Sequence, residues 1–188
     1  MIKYVEQFGI TQALSFDGIT TAKGNYDISA AAPVSFAWSC IGQYNDLVNP
    51  AQFMMFMGAI ANKGAAAKPY LVSRVEGGGE VTYEAKLEKT QRMISTEVAK
   101  VLGEYMRNNV SSVYGDWNFP GMQVCAKSGT SELGGGQKSN AMFSGFVQNE
   151  EYPLAFIVVV ENGGYGSHTC VPVLSKVLAE CRAVLDEA

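Results

Sequence analysis

A cation and two hydroxyl groups lie within four consecutive residues in the C-terminal half of the chain. They belong to Lys127, Ser128 and Thr130, and Gly129 separates the two hydroxyl residues. Ammonium and hydroxyl groups donate hydrogen bonds, and a bond to an ionised carboxylate is roughly twice as strong as a neutral one. These residue types therefore predict a binding site for a ligand that carries a carboxylate.

The element that must position these groups is a strand. Apolar or small residues lead into Lys127, and three consecutive glycines follow soon after Thr130. Because side chains alternate along a strand, one predicted face carries Val124, Ala126, Ser128 and Thr130. The other face carries Cys125, Lys127 and Gly129, and the glycine leaves room for another backbone to approach. We therefore expect an extended ligand to pair with the strand edge.

A phosphate-binding loop is the main alternative for Lys127. Gly121 lies six residues before it and Ser128 follows it, which matches part of the G-x-x-x-x-G-K-[ST] pattern. That pattern also needs a glycine where Ala126 stands, and a helix after the lysine. Here apolar residues precede the lysine and glycines follow it, so the sequence favours the strand.

Other reactive side chains give weaker signals. His168 is the only histidine in the sequence, and neither a carboxylate nor a serine elbow accompanies it, which predicts a surface or capping residue. The four cysteines have no zinc-like spacing and lie in apolar stretches, which predicts buried thiols rather than disulfides. They are Cys40, Cys125, Cys170 and Cys181. We predict neither a metal site nor a cofactor.

Length and composition indicate one domain with a sizeable core. The chain has 188 residues, 47% of them hydrophobic, and its net charge of -4 gives no indication of a nucleic-acid partner. The longest apolar run near the start is too short to span a membrane, and Met1 to Lys3 opens no signal-peptide pattern. We therefore expect any membrane anchor to lie outside these residues.

The first part of the chain is predicted to combine helices with a long loop. Lys3 to Phe8 has the pattern of a helix end before Gly9, and Ile10 to Pro33 has no sustained period, which predicts a surface loop. Asn49 can cap a helix over Pro50 to Asn62. This helix is apolar nearly all round, which predicts burial on most sides.

The middle of the chain is predicted to form a hairpin, a helix and a loop. Tyr70 to Val75 and Val81 to Tyr83 alternate around three glycines, and a helix is expected to start at Ser95. Its predicted apolar face consists of Val98, Leu102, Tyr105 and Met106. Ser112 to Gly121 is expected to be a loop that leads into the strand with Lys127.

Two further strands and a helix are predicted to complete the chain. Ser139 to Gln148 alternates, and Leu154 to Glu161 is a solid apolar run, which predicts burial on both faces. Short connections favour an antiparallel meander. A final helix is expected to begin at Pro172 and to cover the sheet with one apolar stripe. The stripe consists of Val173, Val177, Cys181, Val184 and Leu185.

Five segments resemble the penicillin-binding proteins, the D,D-transpeptidases that cross-link peptidoglycan. That family combines a K-T-G element with S-x-x-K and S-D-N. The resemblance covers roughly Phe8 to the C-terminus, and the segments follow the family's order. They are Phe36–Gln43 (FAWSCIGQ), Asn49–Gly64 (NPAQFMMFMGAIANKG), Lys68–Val72 (KPYLV), Met122–Thr130 (MQVCAKSGT) and Ser139–Val147 (SNAMFSGFV).

The resemblance implies a fold and a set of residue roles. The fold is the C-terminal part of an α+β transpeptidase, with a mostly helical subdomain and loops over residues 1–121 and strands with a covering helix over 122–188. Lys127 would hold the serine of the second motif and raise the local positive potential. Ser128 and Thr130 would bond the substrate carboxylate beside Gly129, and the Thr130 backbone N–H would form one arm of the oxyanion hole. Ala126, where the family often has glycine, affects only the packing behind the strand.

The resemblance also implies partners and a location. The substrates would be peptidoglycan stem peptides, and β-lactams would bind through the complete domain. No nucleic acid would be involved, and this chain itself would make no membrane contact. The parent protein would lie on the extracytoplasmic face of a bacterial cell membrane, anchored by an upstream segment.

Two motifs of the family do not occur in this sequence. No lysine has a serine three residues before it, and no asparagine has a serine two residues before it. The leading hypothesis is therefore a C-terminal fragment of a transpeptidase, which alone would not be acylated by penicillin. One alternative is a catalytically dead module that binds stem peptides or protein partners, and another is an unrelated small ligand-binding domain.

The family's sheet has five strands, whereas this sequence predicts three. Leu154 to Val160 would then have an unpaired edge, where the N-terminal half of the parent domain supplies a strand. An exposed apolar edge promotes association. We therefore expect this edge to pair with another copy of the chain or with that N-terminal half.

Overall fold

The structure, a computed structural model, describes residues 1–187. Its first elements are α1 (Ile2–Gln7), β1 (Ser15–Phe16), β2 (Ile19–Thr20), α2 (Pro33–Ser39) and α3 (Pro50–Ala61). The prediction of a structureless loop over Ile10 to Pro33 is wrong in part, because β1 and β2 pair there as a small antiparallel hairpin. A ladder of two residues per strand is too short to produce a period in the sequence.

Helix α3 begins as the sequence predicts. The Asn49 side chain accepts hydrogen bonds from the backbone N–H groups of Ala51 and Gln52, and Pro50 occupies the first turn. Five of its twelve residues are buried and Met54 is exposed, so the helix is buried on fewer sides than predicted. The buried positions are Gln52, Met55, Met57, Ala59 and Ile60.

The predicted hairpin is present but lies outside the core. Strands β3 (Arg74–Gly77) and β4 (Glu80–Glu84) pair as antiparallel neighbours. The first starts four residues later than predicted, and the second extends one residue beyond each predicted end. Every residue of both strands is exposed. The hairpin therefore adds nothing to the packing that positions Lys127.

Helix α4 (Thr96–Asn109) starts at the predicted cap but buries a different face. The Ser95 hydroxyl accepts a hydrogen bond from the Val98 N–H, yet the Val98 side chain is exposed. Tyr105 is exposed as well, whereas Ala99 and Met106 are buried. The predicted apolar face is thus wrong at two positions, because alanine takes the buried place that the pattern assigned to valine.

The segment after α4 is helical where the sequence predicts a loop. A π-helical turn (Val110–Tyr114) continues α4 directly, and a 3-10 turn (Asp116–Asn118) follows. The Gly115 N–H donates to the Val110 C=O at 2.7 Å, which closes the wider π turn. Gly115 has a φ of 87°, and an added Cβ would lie 2.3 Å from the Trp117 ring, so this exit from the π turn requires glycine.

The central sheet is the predicted antiparallel meander. Strands β5 (Val124–Ser131), β6 (Asn140–Val147) and β7 (Ala155–Val160) lie in the order β5-β6-β7. Lys127 is opposite Ser144 in the β5–β6 pair. The existence and order of these strands are confirmed, and only their ends differ from prediction by one or two residues.

Strand β7 forms one edge of this sheet within residues 1–187. The Val147 N–H donates to the Leu154 C=O, so the alternate residues Ala155, Ile157 and Val159 direct their backbone groups away from β6. Of the side chains, Phe156 is buried but Val159 is 44% exposed. The prediction of burial on both faces is therefore wrong, because Phe156 is the only buried residue of β7.

Helix α5 (Gly166–Asp186) begins six residues earlier than predicted, and Pro172 lies inside it. His168 consequently belongs to its first turn, where the side chain is exposed and packs edge-on to Tyr165. The predicted stripe is wrong, because Val173, Val177, Val184 and Leu185 are exposed. The face that covers the sheet consists of Cys170, Val171, Leu174 and Leu178.

The architecture is α+β, with helices on both faces of the sheet. Helix α5 covers one face, where Val124, Ala126 and Phe143 are buried beside Leu174. Helices α3 and α4 cover the other face, where Cys125 and Phe146 pack with Met57 and Met106. Val124 and Cys125 thus point to opposite sides, as the alternation in β5 predicts.

All four cysteines are free thiols, but not all are buried. Cys125 and Cys170 are buried, Cys181 is half-buried, and Cys40 is exposed. The prediction of buried thiols is therefore wrong for Cys40, which lies just after the end of α2. No helix in residues 1–187 is long and apolar enough to cross a membrane.

Candidate functional site

The end of β5 brings the predicted site residues together on one exposed strand edge. Lys127 is exposed, and its Nζ donates to the Ser128 C=O at 2.8 Å. Ser128, Gly129 and Thr130 are half-buried. No carboxylate within residues 1–187 forms a salt bridge with Lys127, so its positive charge is available to a ligand.

Even-numbered residues of β5 direct their backbone groups to the outer edge. The Gln148 N–H bonds the Gln123 C=O, and this alternation assigns Gln123, Cys125, Lys127 and Gly129 to the bonds with β6. The outer groups therefore belong to Val124, Ala126, Ser128 and Thr130. An added strand can pair only with those outer backbone groups that the protein leaves free.

One continuous segment of the chain closes the first part of this edge. The Arg107 guanidinium donates to the Val124 C=O, and Asn109 Nδ2 donates to the Ala126 C=O at 3.3 Å. Arg107 also forms a salt bridge with Asp116, which holds the guanidinium in place. An added strand consequently has no free C=O acceptors at Val124 and Ala126.

Tyr114, at the end of the π turn, occupies the next outer group. Its hydroxyl oxygen accepts a hydrogen bond from the Ser128 N–H at 3.1 Å and lies 3.0 Å from Ser128 Oγ. The Tyr114 ring packs edge-on against Phe143, with 5.0 Å between ring centroids. The N–H and the hydroxyl of Ser128 are thus both in contact with one tyrosine.

The edge opens at Thr130. Gln43 Nε2 donates to the Thr130 C=O at 3.2 Å, and the Gly166 N–H donates to Thr130 Oγ1 at 3.1 Å. The Thr130 N–H has no acceptor within residues 1–187. This N–H and the proton of the Thr130 hydroxyl, which also has no acceptor within residues 1–187, are therefore free to donate to a ligand.

Helix α5 approaches β5 so closely that its first residue must be glycine. A Cβ added to Gly166 would lie 2.2 Å from the Gly129 C=O oxygen and 2.5 Å from that of Met142. The positive end of the helix macrodipole therefore lies beside Thr130. Together with Lys127, it gives this strand end a positive potential that suits an anionic ligand.

Two other reactive residues form no hydrogen bond with Lys127, Ser128 or Thr130 in the described part of the chain. Burial raises the pKa of the Cys125 thiol to about 11, so it is protonated at neutral pH. His168 is on the surface, and no carboxylate forms an ion pair with it in the described part of the chain.

Sequence reasoning missed the residues that support this edge. They are Gln43, Arg107, Asn109, Tyr114 and Gly166. Gln43 ends one of the segments quoted above and could have been suspected. Arg107 and Asn109 lie in the last turn of α4. Tyr114 and Gly166 depend on the π turn and on the early start of α5, which no local pattern indicates.

The chain is similar to known proteins over most of its length. A sequence model described as "Penicillin binding protein transpeptidase domain" matches residues 1–179. Peptidoglycan D,D-transpeptidase PbpA of Mycolicibacterium smegmatis is 30% identical over 130 residues, which are 67% of this chain and 26% of that protein. PbpA of Mycobacterium tuberculosis is 29% identical over 127 residues, 65% of this chain and 26% of that protein. The chain thus spans about a quarter of these relatives.

Solved structures share the fold. Penicillin-binding protein A from M. tuberculosis, as a ceftriaxone acyl-enzyme complex, has a TM-score of 0.84 at 23% identity. The match covers 95% of this chain and 42% of that protein's chain. The D,D-transpeptidase domain of a peptidoglycan glycosyltransferase from Eggerthella lenta has a TM-score of 0.77 at 24% identity. This match covers 95% of this chain and 47% of the E. lenta chain.

Proposed function

Because the chain belongs to the penicillin-binding protein transpeptidase family, we propose that it supplies the substrate-binding strand of a serine D,D-transpeptidase. The enzyme cross-links peptidoglycan on the extracytoplasmic face of a bacterial membrane and is acylated by β-lactams. Lys127 raises the positive potential at the strand end and holds the serine of the second motif. Ser128 and Thr130 bond the substrate carboxylate, and the Thr130 N–H stabilises the oxyanion.

The observation that carries this proposal is the open edge at Thr130. Val124 and Ala126 are fully buried with side chains bonded to their C=O groups, and Tyr114 bonds the Ser128 N–H. Thr130 is only half-buried, and its N–H has no acceptor within residues 1–187. A substrate that adds to this edge meets one backbone donor with hydroxyls and a cation on either side of it. Such preorganised donors stabilise the negative charge that develops in acyl transfer.

The nucleophile of the proposed reaction comes from outside these 188 residues, since neither S-x-x-K nor S-x-N occurs in them. In the complete domain, the N-terminal half brings its serine to the Thr130 edge. That half is thus the first partner of this chain, and stem peptides and β-lactams bind where the two parts meet.

Acylation of the full-length gene product by a fluorescent penicillin tests the proposal. Lys127→Ala is expected to slow acylation on the order of 100-fold, because electrostatic groups at an acyl-transfer site contribute this much. Its unfolding midpoint should change little, since Lys127 is exposed and makes one bond, to its neighbour.

Lys176→Ala is the matched control, because Lys176 is exposed on α5 and has no salt bridge within the described residues. It should acylate at the wild-type rate. Acylation of Lys127→Ala at the rate of this control would refute the assigned role of Lys127. Absence of any acylation in the wild-type protein would refute the proposed function as a whole.

A further inference from the structure

The Tyr114 hydroxyl contacts the backbone N–H and the hydroxyl of Ser128. It accepts from the Ser128 N–H at 3.1 Å and lies 3.0 Å from Ser128 Oγ. Either hydroxyl can donate in this O···O contact, and the direction on which the inference rests is donation from the phenol to Ser128 Oγ, because the phenol oxygen already accepts the N–H. No other acceptor for this proton lies within hydrogen-bond distance in residues 1–187.

This direction leaves the proton of the Ser128 hydroxyl without a protein acceptor in the described residues. The three groups form a chain, in which the Ser128 N–H donates to Tyr114, Tyr114 donates to Ser128 Oγ, and Oγ–H points outward. Hydrogen bonds in such a chain polarise one another, so the last donor is strengthened. The same two contacts restrict rotation of the Ser128 side chain.

We propose that Tyr114 is a positioning residue, which holds the Ser128 hydroxyl as a hydrogen-bond donor toward the carboxylate of the substrate. The proposal rests on the function proposed above. Tyr114 does not touch the substrate and acts only through Ser128.

The local backbone supports a specific requirement for this side chain. Tyr114 ends a π-helical turn, an uncommon element that is frequent at functional sites, and Gly115 then turns the chain away with a φ of 87°. The ring contact with Phe143 needs only an aromatic ring, which phenylalanine would also supply. The hydroxyl therefore has a role apart from packing.

The test compares penicillin G with its methyl ester in the full-length gene product. The acid carries the carboxylate that Ser128 is proposed to bond, and the ester does not carry that charge. Tyr114→Phe is expected to lower the second-order acylation rate with the acid about tenfold, since a hydrogen bond to a charged group contributes roughly that factor. The rate with the ester should remain within about twofold of wild type.

A double-mutant cycle separates action through Ser128 from any other effect. Ser128→Ala should show the same selective loss with the acid, and adding Tyr114→Phe to it should cause no further loss. Tyr105→Phe is the matched control, because Tyr105 is exposed on α4. It should leave both rates unchanged.

Each other outcome is decisive. Equal slowing of acid and ester by Tyr114→Phe, a full tenfold loss in the Ser128→Ala background, or failure of Tyr114→Phe to fold would overturn the positioning role alone. A wild-type protein that neither compound acylates would overturn the proposed function, and this role with it.

Discussion

Replacing Gly166 with alanine tests whether α5 must begin in direct contact with β5. The new Cβ would lie 2.2 Å from the Gly129 C=O oxygen and 2.5 Å from the Met142 C=O oxygen. Both obstacles are backbone atoms of paired strands, so they cannot rotate away as a side chain would. The first turn of α5 must instead move outward by about 1 Å to restore ordinary contact distances.

Three effects set the size of the change. Overpacking of this kind costs about 1–3 kcal/mol. The outward movement also breaks the hydrogen bond from the Gly166 N–H to Thr130 Oγ1, which contributes about 1 kcal/mol. Alanine recovers up to about 1 kcal/mol through its higher helix propensity. We therefore expect the free energy of unfolding to fall by about 2 kcal/mol.

Urea denaturation of the full-length gene product measures this change, and β-lactam acylation follows its effect on the site. Acylation should slow at least tenfold, because Thr130 loses the donor that orients its hydroxyl and small displacements are costly in acyl transfer. Gly103→Ala is the control, since its Cβ would meet only the Phe146 ring at 3.5 Å inside α4. A Gly166→Ala variant as stable as the Gly103→Ala variant would refute the close approach of α5 to β5.

Three further predictions concern the sheet edge and the thiols of Cys40 and Cys125. In a monomeric preparation of residues 1–188, the amides of Ile157 and Val159, which point away from β6, should exchange with solvent faster than the amide of Val158, which bonds β6. Equal protection of the three amides would show that the β7 edge is covered. At pH 7, Cys40 should react with a maleimide while Cys125 should not, because Cys125 is buried and burial raises its pKa to about 11. The same shift contributes stability below pH 9 that is lost as the pH rises toward 11, so denaturation midpoints that stay constant over pH 9–11 would contradict it.

The parts of the fold that the sequence predicts are those with local signals. Strands β5, β6 and β7 show alternation or a continuous apolar run between glycine-rich turns, and the meander follows from their short connections. Asn49 and Pro50 mark the start of α3 through capping chemistry. In each case the neighbouring residues alone decide the backbone conformation.

The start of α5 was not predictable by the same means. Pro172 normally marks the first turn of a helix, because it lacks an N–H and its ring crowds the preceding turn. Here six helical residues precede it, and their first N–H bonds Thr130, a residue 36 positions earlier in the chain. The Thr169 hydroxyl also donates to the Gly163 C=O at 2.6 Å. Tertiary contacts thus extend the helix past the proline, and the buried face moves with it.

The arrangement of groups at the end of β5 determines how a ligand can bind. Lys127 lies on one face of the strand, and Ser128 and Thr130 lie on the other, so a ligand flat against either face would meet the cation or the hydroxyls but not both. Lys127 Nζ reaches the Ser128 C=O, which belongs to the outer edge. The free Thr130 N–H points to the same edge. Only a ligand that lies along this edge as an added strand can contact the cation, the hydroxyls and the N–H together. Because the residues from Arg107 to Tyr114 occupy the earlier part of the edge, its pairing begins at Thr130.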